Sequence, residues 1–175
     1  MVGTKSGGRS YIFLGRMGWP RKPRSPQEGD MGEIKARVSL ENLSDRVLYE
    51  SGKKAKKRIR RAEVDAIVDT GAIMTLLPQE LVEKLGLTVF DTVTVTLADE
   101  SRVRLKKAGP LNLTIGDRPM ITDCLVGPLG CDPLIGQIVM EELDLICDPG
   151  QRTLTPRPES PFSPTLKMKV AATLS

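Results

Sequence analysis

The segment DTVTVTL, residues 91–97, alternates valine or leucine with threonine along most of its length. Successive side chains of a β-strand point to opposite faces of the sheet, so this pattern predicts a strand with one buried face. ADES and RVRLK follow directly, which predicts a β-hairpin. Further segments bounded by Asp, Gly and Pro also read as strands, and the chain is predicted to be mainly β. The predicted strands are residues 33–42, 62–69, 91–97, 102–107, 110–115, 119–126 and 144–147.

Two short helices are predicted between these strands. In PQELVEKLG, residues 78–86, Pro78 suits the first helical position and Gly86 supplies a left-handed C-terminal cap. The second helix is predicted for QIVMEEL, which follows Gly136. The sequence therefore predicts a mainly β domain with one or two short helices.

Composition changes at both ends of the chain. Residues 1–31 combine Gly, Ser, Pro and basic residues without periodicity, which predicts a disordered basic N-terminal extension. A natural start at Met31 is an alternative, because strand alternation begins just after it. Proline is frequent from Pro156 onward, so residues 157–175 are predicted to form a flexible Pro-rich C-terminal tail. The folded domain is predicted to span residues 32–156.

The chain contains no histidine, which excludes several kinds of active site. Ser-His and Cys-His nucleophile pairs and the HExxH zinc site cannot be built, and we predict neither a metal nor a cofactor. Any acid or base that works near neutral pH must therefore come from carboxylates, Lys, Tyr or Cys.

The cysteines and the apolar runs indicate where the protein resides. Cys124, Cys131 and Cys147 are odd in number and lack CxxC spacing, so we predict small buried side chains in a reducing compartment. No apolar run approaches the roughly 20 residues that span a bilayer. We therefore expect a soluble, cytoplasmic protein with no membrane partner.

Seven basic side chains occur in GKKAKKRIRR, residues 52–61. Such a run could bind RNA, DNA or an acidic partner through its charge. No aromatic residue is interleaved for base stacking, so we favour a solvated hairpin loop between the first two strands. Nucleic acid is accordingly not expected as a partner.

A carboxylate, Asp69, ends the second predicted strand, where the sequence reads AIVDTGA. Much later in the chain the motif PLIG precedes the second helix, and a DPG turn follows that helix. Together with the LADES hairpin, these motifs resemble the retropepsin-like aspartic proteases. This family contains retroviral and retrotransposon proteases and small stand-alone bacterial relatives. The resemblance covers roughly residues 33–156.

The resemblance implies a closed-barrel-like acid protease fold and a role for each motif. It implies that Asp69 is catalytic, that its neighbours and the PLIG element support the active-site loop, and that the hairpin covers the substrate. The implied supporting residues are Thr70, Gly71, Ala72, Leu134, Ile135 and Gly136, and the implied substrate-covering residues are Ala98, Asp99, Glu100 and Ser101.

The resemblance also implies a dimeric enzyme. Two carboxylates held close together share one proton, so the pair offers a base that activates water and an acid that protonates the carbonyl oxygen. The chain has one Asp-Thr-Gly and therefore half of such a site, which predicts a homodimer with Asp69 of each subunit at the two-fold axis. The predicted function is an aspartic endopeptidase that cleaves an extended peptide or protein substrate. A catalytically inactive module that dimerises or binds peptides is the alternative.

Two positions depart from the family pattern. Ile73 stands where relatives usually carry Thr or Ser, so a hydroxyl is missing beside the loop. Glu100 stands at the hairpin turn, where many relatives carry glycine. Both departures bear on specificity and rate more than on the chemistry of Asp69.

Overall fold

The computed structural model describes residues 33–165. The predicted extension at residues 1–31 and the end of the predicted tail, residues 166–175, lie outside the described residues. No helix within the described range is long and apolar enough to cross a membrane. The strands are β1 Lys35–Asn42, β2 Arg61–Val68, β3 Leu76–Pro78, β4 Thr88–Thr96, β5 Arg102–Ile115, β6 Arg118–Gly127, β7 Leu134–Ile135, β8 Leu145–Asp148 and β9 Thr153–Pro156, and the helices are α1 Leu43–Glu50, α2 Gln79–Leu85 and α3 Gln137–Glu142, with a 3-10 helix at Lys56–Arg58.

Six of the strands close into a barrel. Their hydrogen-bonded order is β1-β2-β7-β3-β6-β5, and β5 pairs with β1 to complete the ring. β4 pairs with the outer edge of β5, and β8 and β9 form a separate two-stranded sheet. The mainly β, closed-barrel-like fold with short helices that the sequence predicts is confirmed.

Aliphatic side chains fill the barrel. On β1 the buried side chains of Ala36, Val38 and Leu40 alternate with exposed residues. α2 adds Leu81 and Leu85 to the same core. The period-two pattern of the strands therefore places one face of the sheet inside the barrel, as the sequence predicts.

β5 is one strand where the sequence predicts two, at 102–107 and 110–115. The Gly-Pro pair at Gly109 and Pro110 suggested a break, because proline has no N–H to donate to a sheet. In the structure the pairing of β5 with β6 shifts register between Ala108 and Leu111 and then continues. The irregularity accommodates the proline without ending the strand.

The connection between β1 and β2 contains a helix that was not predicted from the sequence. β1 and β2 pair in antiparallel fashion, as a hairpin would. α1 nevertheless begins directly after Asn42, whose side-chain oxygen accepts a hydrogen bond from the backbone N–H of Asp45 at 2.9 Å. An Asn in this position satisfies one of the free N–H groups at a helix start. A helix at residues 43–50 was therefore not predicted, whereas the basic run, which was predicted to be a loop, does connect α1 to β2 and is mostly exposed.

The three cysteines are free and range from buried to half-buried. Cys124 lies in the barrel core, where burial raises the pKa of its thiol to about 12. Burial also raises the pKa of Cys131, to about 11. The prediction of a small buried side chain is confirmed for Cys124, and neither of these thiols ionises near neutral pH.

Polar contacts anchor the chain just beyond β9. The buried guanidinium of Arg118 donates to the backbone oxygens of Leu143, at 2.6 Å, and of Ser160. The carboxylate of Asp144 accepts hydrogen bonds from Arg157 Nε at 2.7 Å and from the Ser160 hydroxyl. Ser160 thus contacts Arg118 of the barrel and Arg157 contacts Asp144, although both belong to the predicted tail, and the boundary at residue 156 stays a prediction.

Candidate active site

Asp69 follows directly on the last residue of β2. This strand pairs in parallel with β7, with Val68 opposite Ile135. The backbone N–H of Asp69 also donates to the carbonyl oxygen of Ile135, at 3.0 Å. The ladder therefore continues one residue past the strand, and it fixes the point from which the carboxylate projects.

Residues 69–71 form a tight turn around the carboxylate. The Gly71 N–H donates to Oδ1 of Asp69 at 2.8 Å, and the Ala72 N–H donates to the backbone oxygen of Asp69 at 3.3 Å. Asp69 is half-buried, whereas Thr70 and Gly71 are exposed. An ionised carboxylate accepts about four hydrogen bonds, so this turn leaves acceptor positions for a water molecule or a second carboxyl group.

The start of α3 holds the second half of the loop. The N–H of Gln137 donates to the carbonyl oxygen of Ala72 at 2.7 Å, and the N–H of Ile138 donates to that of Ile73 at 3.1 Å. These N–H groups have no partner within their own helix. The loop carbonyls satisfy them, so the loop and α3 form one hydrogen-bonded unit.

Gly136 lies where the two segments come closest. A Cβ at this position would lie 2.7 Å from the carbonyl carbon and oxygen of Ile73 and 2.7 Å from the carbonyl oxygen of Met74. Because these neighbours are backbone atoms, they cannot rotate away as a side chain would. Glycine is therefore required at residue 136 by close approach rather than by an unusual backbone angle.

The hairpin between β4 and β5 ends in a tight exposed turn. The Glu100 N–H donates to the carbonyl oxygen of Leu97 at 3.0 Å, and the Leu97 N–H donates to that of Ser101 at 2.8 Å. Ser101 donates its backbone N–H to Oδ1 of Asp99 at 3.0 Å, and hydrogen bonds from Ser101 lower the pKa of Asp99. Glu100 has a φ of 64°, which explains why glycine suits this position.

The structure unites some of the predicted site residues and separates others. Asp69 is hydrogen-bonded to Ile135, and Ala72 is hydrogen-bonded to Gln137, the residue after Gly136, so the loop lies beside the Leu134–Gly136 element. Thr70 and Gly71 lie on the exposed part of the same loop. Among the hydrogen bonds of residues 33–165, none joins the hairpin residues Ala98, Asp99, Glu100 and Ser101 to the Asp69 loop. The roles of all these residues stay predictions.

Sequence reasoning missed a groove beside the loop. Thr70, Met140, Leu145 and Arg157 are among the residues that line this open cavity of about 360 Å³. Gln137 and Glu141 also line it, and Gln137 Nε2 donates to Glu141 Oε1 at 2.7 Å. The spacing of these two residues was the available signal, since positions i and i+4 share one helix face.

Comparison with known proteins identifies the family. Residues 55–139 match the family model described as aspartyl protease. The matched segment contains β2, the Asp69 loop and the Leu134–Gly136 element, which lie together in the closed barrel. The matched segment belongs to the aspartyl protease family, and the resemblance to retropepsin-like proteases seen in the sequence is confirmed.

The chain is also similar to solved structures. The retroviral protease-like domain of Ddi1 from Leishmania major is similar in structure, with a TM-score of 0.46 and 14% sequence identity over 72% of this chain and 89% of that chain. No curated protein matches the sequence.

Proposed function

We propose that the chain is an aspartic endopeptidase that works as a homodimer and hydrolyses peptide bonds with Asp69 of each subunit. The observation that carries the proposal is the position of Asp69. It lies directly after the barrel strand β2, in a turn whose backbone is hydrogen-bonded to Ile135 and to the start of α3. The family match over residues 55–139 supports the same reaction class.

The proposed dimer supplies the second carboxylate. The sequence contains one Asp-Thr-Gly, and the surface next to it carries apolar side chains. Ile73 is 67% exposed and Ile138 is 41% exposed, and the two residues are hydrogen-bonded neighbours. Exposed apolar side chains beside half of a site are suited to burial against a second copy of the chain across a two-fold axis.

In the proposed reaction the two Asp69 carboxyl groups share one proton. The ionised carboxylate takes a proton from water while the water oxygen attacks the carbonyl carbon of the peptide bond. The protonated carboxyl gives its proton to the carbonyl oxygen, which forms a neutral tetrahedral diol. Proton transfer to the amide nitrogen then breaks the C–N bond and releases an acid and an amine. These steps use no cofactor.

An extended peptide or protein is the proposed substrate, and the hairpin of β4 and β5 is proposed to cover it. The apolar side chains Val93 and Val95 lie on one face of this hairpin and are half-buried. That face suits an extended chain pairing through its backbone. The spacing and odd number of the cysteines favour action in the cytoplasm, which cell fractionation can test.

A peptide-binding module without catalysis is the second candidate. Ile73 is the observation that favours it, because an exposed apolar side chain stands where relatives usually have a hydroxyl. In that case the chain would bind peptides and leave them intact.

Replacing Asp69 with Asn tests the catalytic assignment. Cleavage of a denatured protein at mildly acidic pH should fall about 10³-fold or more, because the amide can neither accept nor donate the proton in the same way. A peptide-like aspartic protease inhibitor should block the unaltered protein. Asp65→Asn is the matched control, since Asp65 is an exposed residue of the same strand whose carboxylate pairs with Arg37 at 3.3 Å. Activity retained in Asp69→Asn would refute the assignment, and an unaltered protein that binds peptides without cutting them would establish the module.

Mixing the two proteins tests the dimer. With a tenfold excess of Asp69→Asn chains, random exchange should leave about one-eleventh of the original activity, because each active site needs two intact subunits. An excess of Asp65→Asn chains should leave activity undiminished. If the Asp69→Asn excess has no effect, the site lies within one chain and the homodimer proposal fails.

A further inference from the structure

An apolar groove lies between α1 and Pro110 of β5, away from the Asp69 loop. Leu43, Ser44, Val47, Leu48 and Pro110 line this cavity of about 350 Å³. The side chain of Val47 is 55% exposed and that of Leu48 is 40% exposed. Adjacent exposed aliphatic side chains that line a concave surface are typical of a binding surface.

The packing of α1 is inverted compared with an ordinary surface helix. Such a helix buries its apolar side chains and exposes its polar ones. On α1 the buried residue is Asp45, at 1% exposure, while Val47 and Leu48 face outward. The buried carboxylate of Asp45 binds Lys54 and Arg60, whereas Val47 and Leu48 stay exposed.

The basic run gives this face its charge. Lys54 and Arg60 bind the carboxylate of Asp45, and Arg61 lies 3.4 Å from the carboxylate of Glu41. Among residues 33–165, no ion pair involves the four other cations of the run, which are exposed. These four are Lys53, Lys56, Lys57 and Arg58.

The groove borders Lys53, the first cation of the basic run. The backbone N–H of Lys53 donates to the carbonyl oxygen of Leu48 at 2.8 Å, and the N–H of Lys54 donates to the same oxygen at 3.1 Å. The basic run therefore turns back directly at the edge of the groove. A ligand in the groove would have Lys53 beside it, and Lys56, Lys57 and Arg58 follow within five residues along the chain.

We propose that this face binds an acidic peptide segment of a partner protein that carries apolar side chains. The apolar side chains of the segment would enter the groove, and its carboxylates would lie against Lys53, Lys56, Lys57 and Arg58. Charge complementarity favours such an occupant over the ends of this chain itself. Residues 1–32 contain six Lys and Arg against two acidic residues, and residues 166–175 contain two Lys and no acidic residue.

The same features favour a peptide over nucleic acid. Phosphates could contact the cations but would leave the apolar groove empty. The ring of Tyr49 on α1 already lies under the guanidinium of Arg46, at 5.9 Å from the ring centroid, instead of offering a free face to a base. The groove shares no residue with the Asp69 loop, so the proposed binding is separate from the proposed peptidase activity.

Selection of random peptides displayed on phage tests the proposal. The full chain carrying Asp69→Asn serves as the target, so that bound peptides are not cleaved. The selected pool should be enriched in peptides that combine acidic with apolar residues, and their affinity should fall as salt is raised. Val47→Asp should weaken binding at least about tenfold, because it places a carboxylate in the groove. Ile121→Asp is the matched control, since Ile121 is an exposed aliphatic residue on β6.

A second variant separates the charge from the groove. Lys56→Glu combined with Lys57→Glu should also weaken the selected peptides at least about tenfold, whereas Arg104→Glu with Lys106→Glu on β5 should not. No enrichment of acidic peptides, or binding indifferent to Val47→Asp, would overturn the proposal. So would tight binding of single-stranded RNA or of phosphatidylserine vesicles that depends on Lys56 and Lys57 but not on Val47. Circular dichroism checks that each variant folds. If Val47→Asp fails to fold, Val47→Ser takes its place in the binding test.

Discussion

Two aspartates of this barrel have opposite surroundings. Asp45 is 1% exposed and accepts hydrogen bonds from Arg60 Nε at 2.7 Å, from Arg60 Nη2 at 2.9 Å and from Lys54. Asp69 is half-buried, and its carboxylate accepts a hydrogen bond from the backbone N–H of Gly71. One carboxylate is held by cations inside the fold, and the other is held by an amide at the surface.

The difference separates a structural acid from a candidate catalytic one. Hydrogen bonds from Arg60 hold the pKa of Asp45 well below its ordinary value, so this carboxylate stays ionised and cannot exchange protons near neutral pH. A catalytic carboxyl needs the reverse, namely room for water and for a second carboxyl group. The same residue type therefore stabilises the fold in one place and is available for chemistry in the other.

The largest expected effect on stability comes from Asp45→Asn. Removing the buried charge leaves Lys54 and Arg60 without their partner, and the free energy of unfolding should fall by about 3 kcal/mol. Chemical denaturation measures this change. Asp117→Asn, in the exposed turn between β5 and β6, is the control and should stay within about 0.5 kcal/mol of the unaltered protein. An equally small effect for Asp45→Asn would remove the contrast between the two aspartates.

Gly136→Ala should have the next largest effect on stability, because Gly136 packs against the backbone that follows the Asp69 turn. The added methyl group would overlap backbone atoms at 2.7 Å, which should cost about 2 kcal/mol of stability. If the proposed activity is present, it should fall more steeply than stability, since the Asp69 loop itself must shift. Gly150→Ala is the control, because the nearest atom to its Cβ is a side-chain oxygen of Asp148 at 3.2 Å. Unchanged stability in Gly136→Ala would show that the loop shifts to accommodate the methyl group without a cost in free energy.

Asp144→Asn should change how stability depends on acid. Hydrogen bonds from Ser160 and Arg157 lower the pKa of Asp144 to about 2, compared with roughly 3.9 in an unfolded chain. The stabilisation is therefore complete above about pH 4 and is lost as the pH falls through about 2. Asparagine tolerates the positive φ of 51° at this position.

Thermal unfolding followed from pH 7 down to pH 2 measures this effect. The variant should unfold a few degrees below the unaltered protein at pH 7, and the gap should narrow across the acid range. A gap that stays constant with pH would mean that the charge of Asp144 contributes nothing to the fold.

The smallest effect on stability is expected for Asp69→Asn. The asparagine side chain can keep the contact with the Gly71 N–H, so the unfolding free energy should change by no more than about 0.5 kcal/mol. Urea unfolding of this variant and of Asp45→Asn, run in parallel, measures the contrast directly. A loss of stability in Asp69→Asn as large as in Asp45→Asn would make both residues structural.

The position of Asp69 at a strand end could be predicted from the sequence, whereas the contacts of Asp45 could not. Alternation along β2 and the AIVDTGA motif placed Asp69 at a strand end, because both signals are local and periodic. The contacts of Asp45 come from Lys54 and Arg60, which lie in a run that by composition reads as a solvated loop. Pairing between particular charges depends on tertiary structure, and sequence spacing does not reveal it.

Some of the missed elements left a usable signal and others did not. Asn42 followed by Asp45 fits a helix start, where an N-cap residue precedes an acidic residue in the first turn. That signal could have located α1, but its apolar residues face solvent and lack the usual helical stripe. β3 is only 3 residues long, and it is a strand because the distant strands β6 and β7 pair with it, whereas the 4-residue β9 pairs with the preceding strand β8. Short runs of this kind carry no periodicity of their own.

The parallel pairing of β2 with β7 also fixes when the Asp69 loop can form. Ile67 and Val68 pair with Leu134 and Ile135, which follow them by 67 residues in the chain. Contacts between distant segments form late, because a long stretch of chain must first be closed into a loop. A growing chain that stops before Pro133 therefore lacks these partners, and the hydrogen bonds that hold the Asp69 loop form only once residues 134–138 have been synthesised.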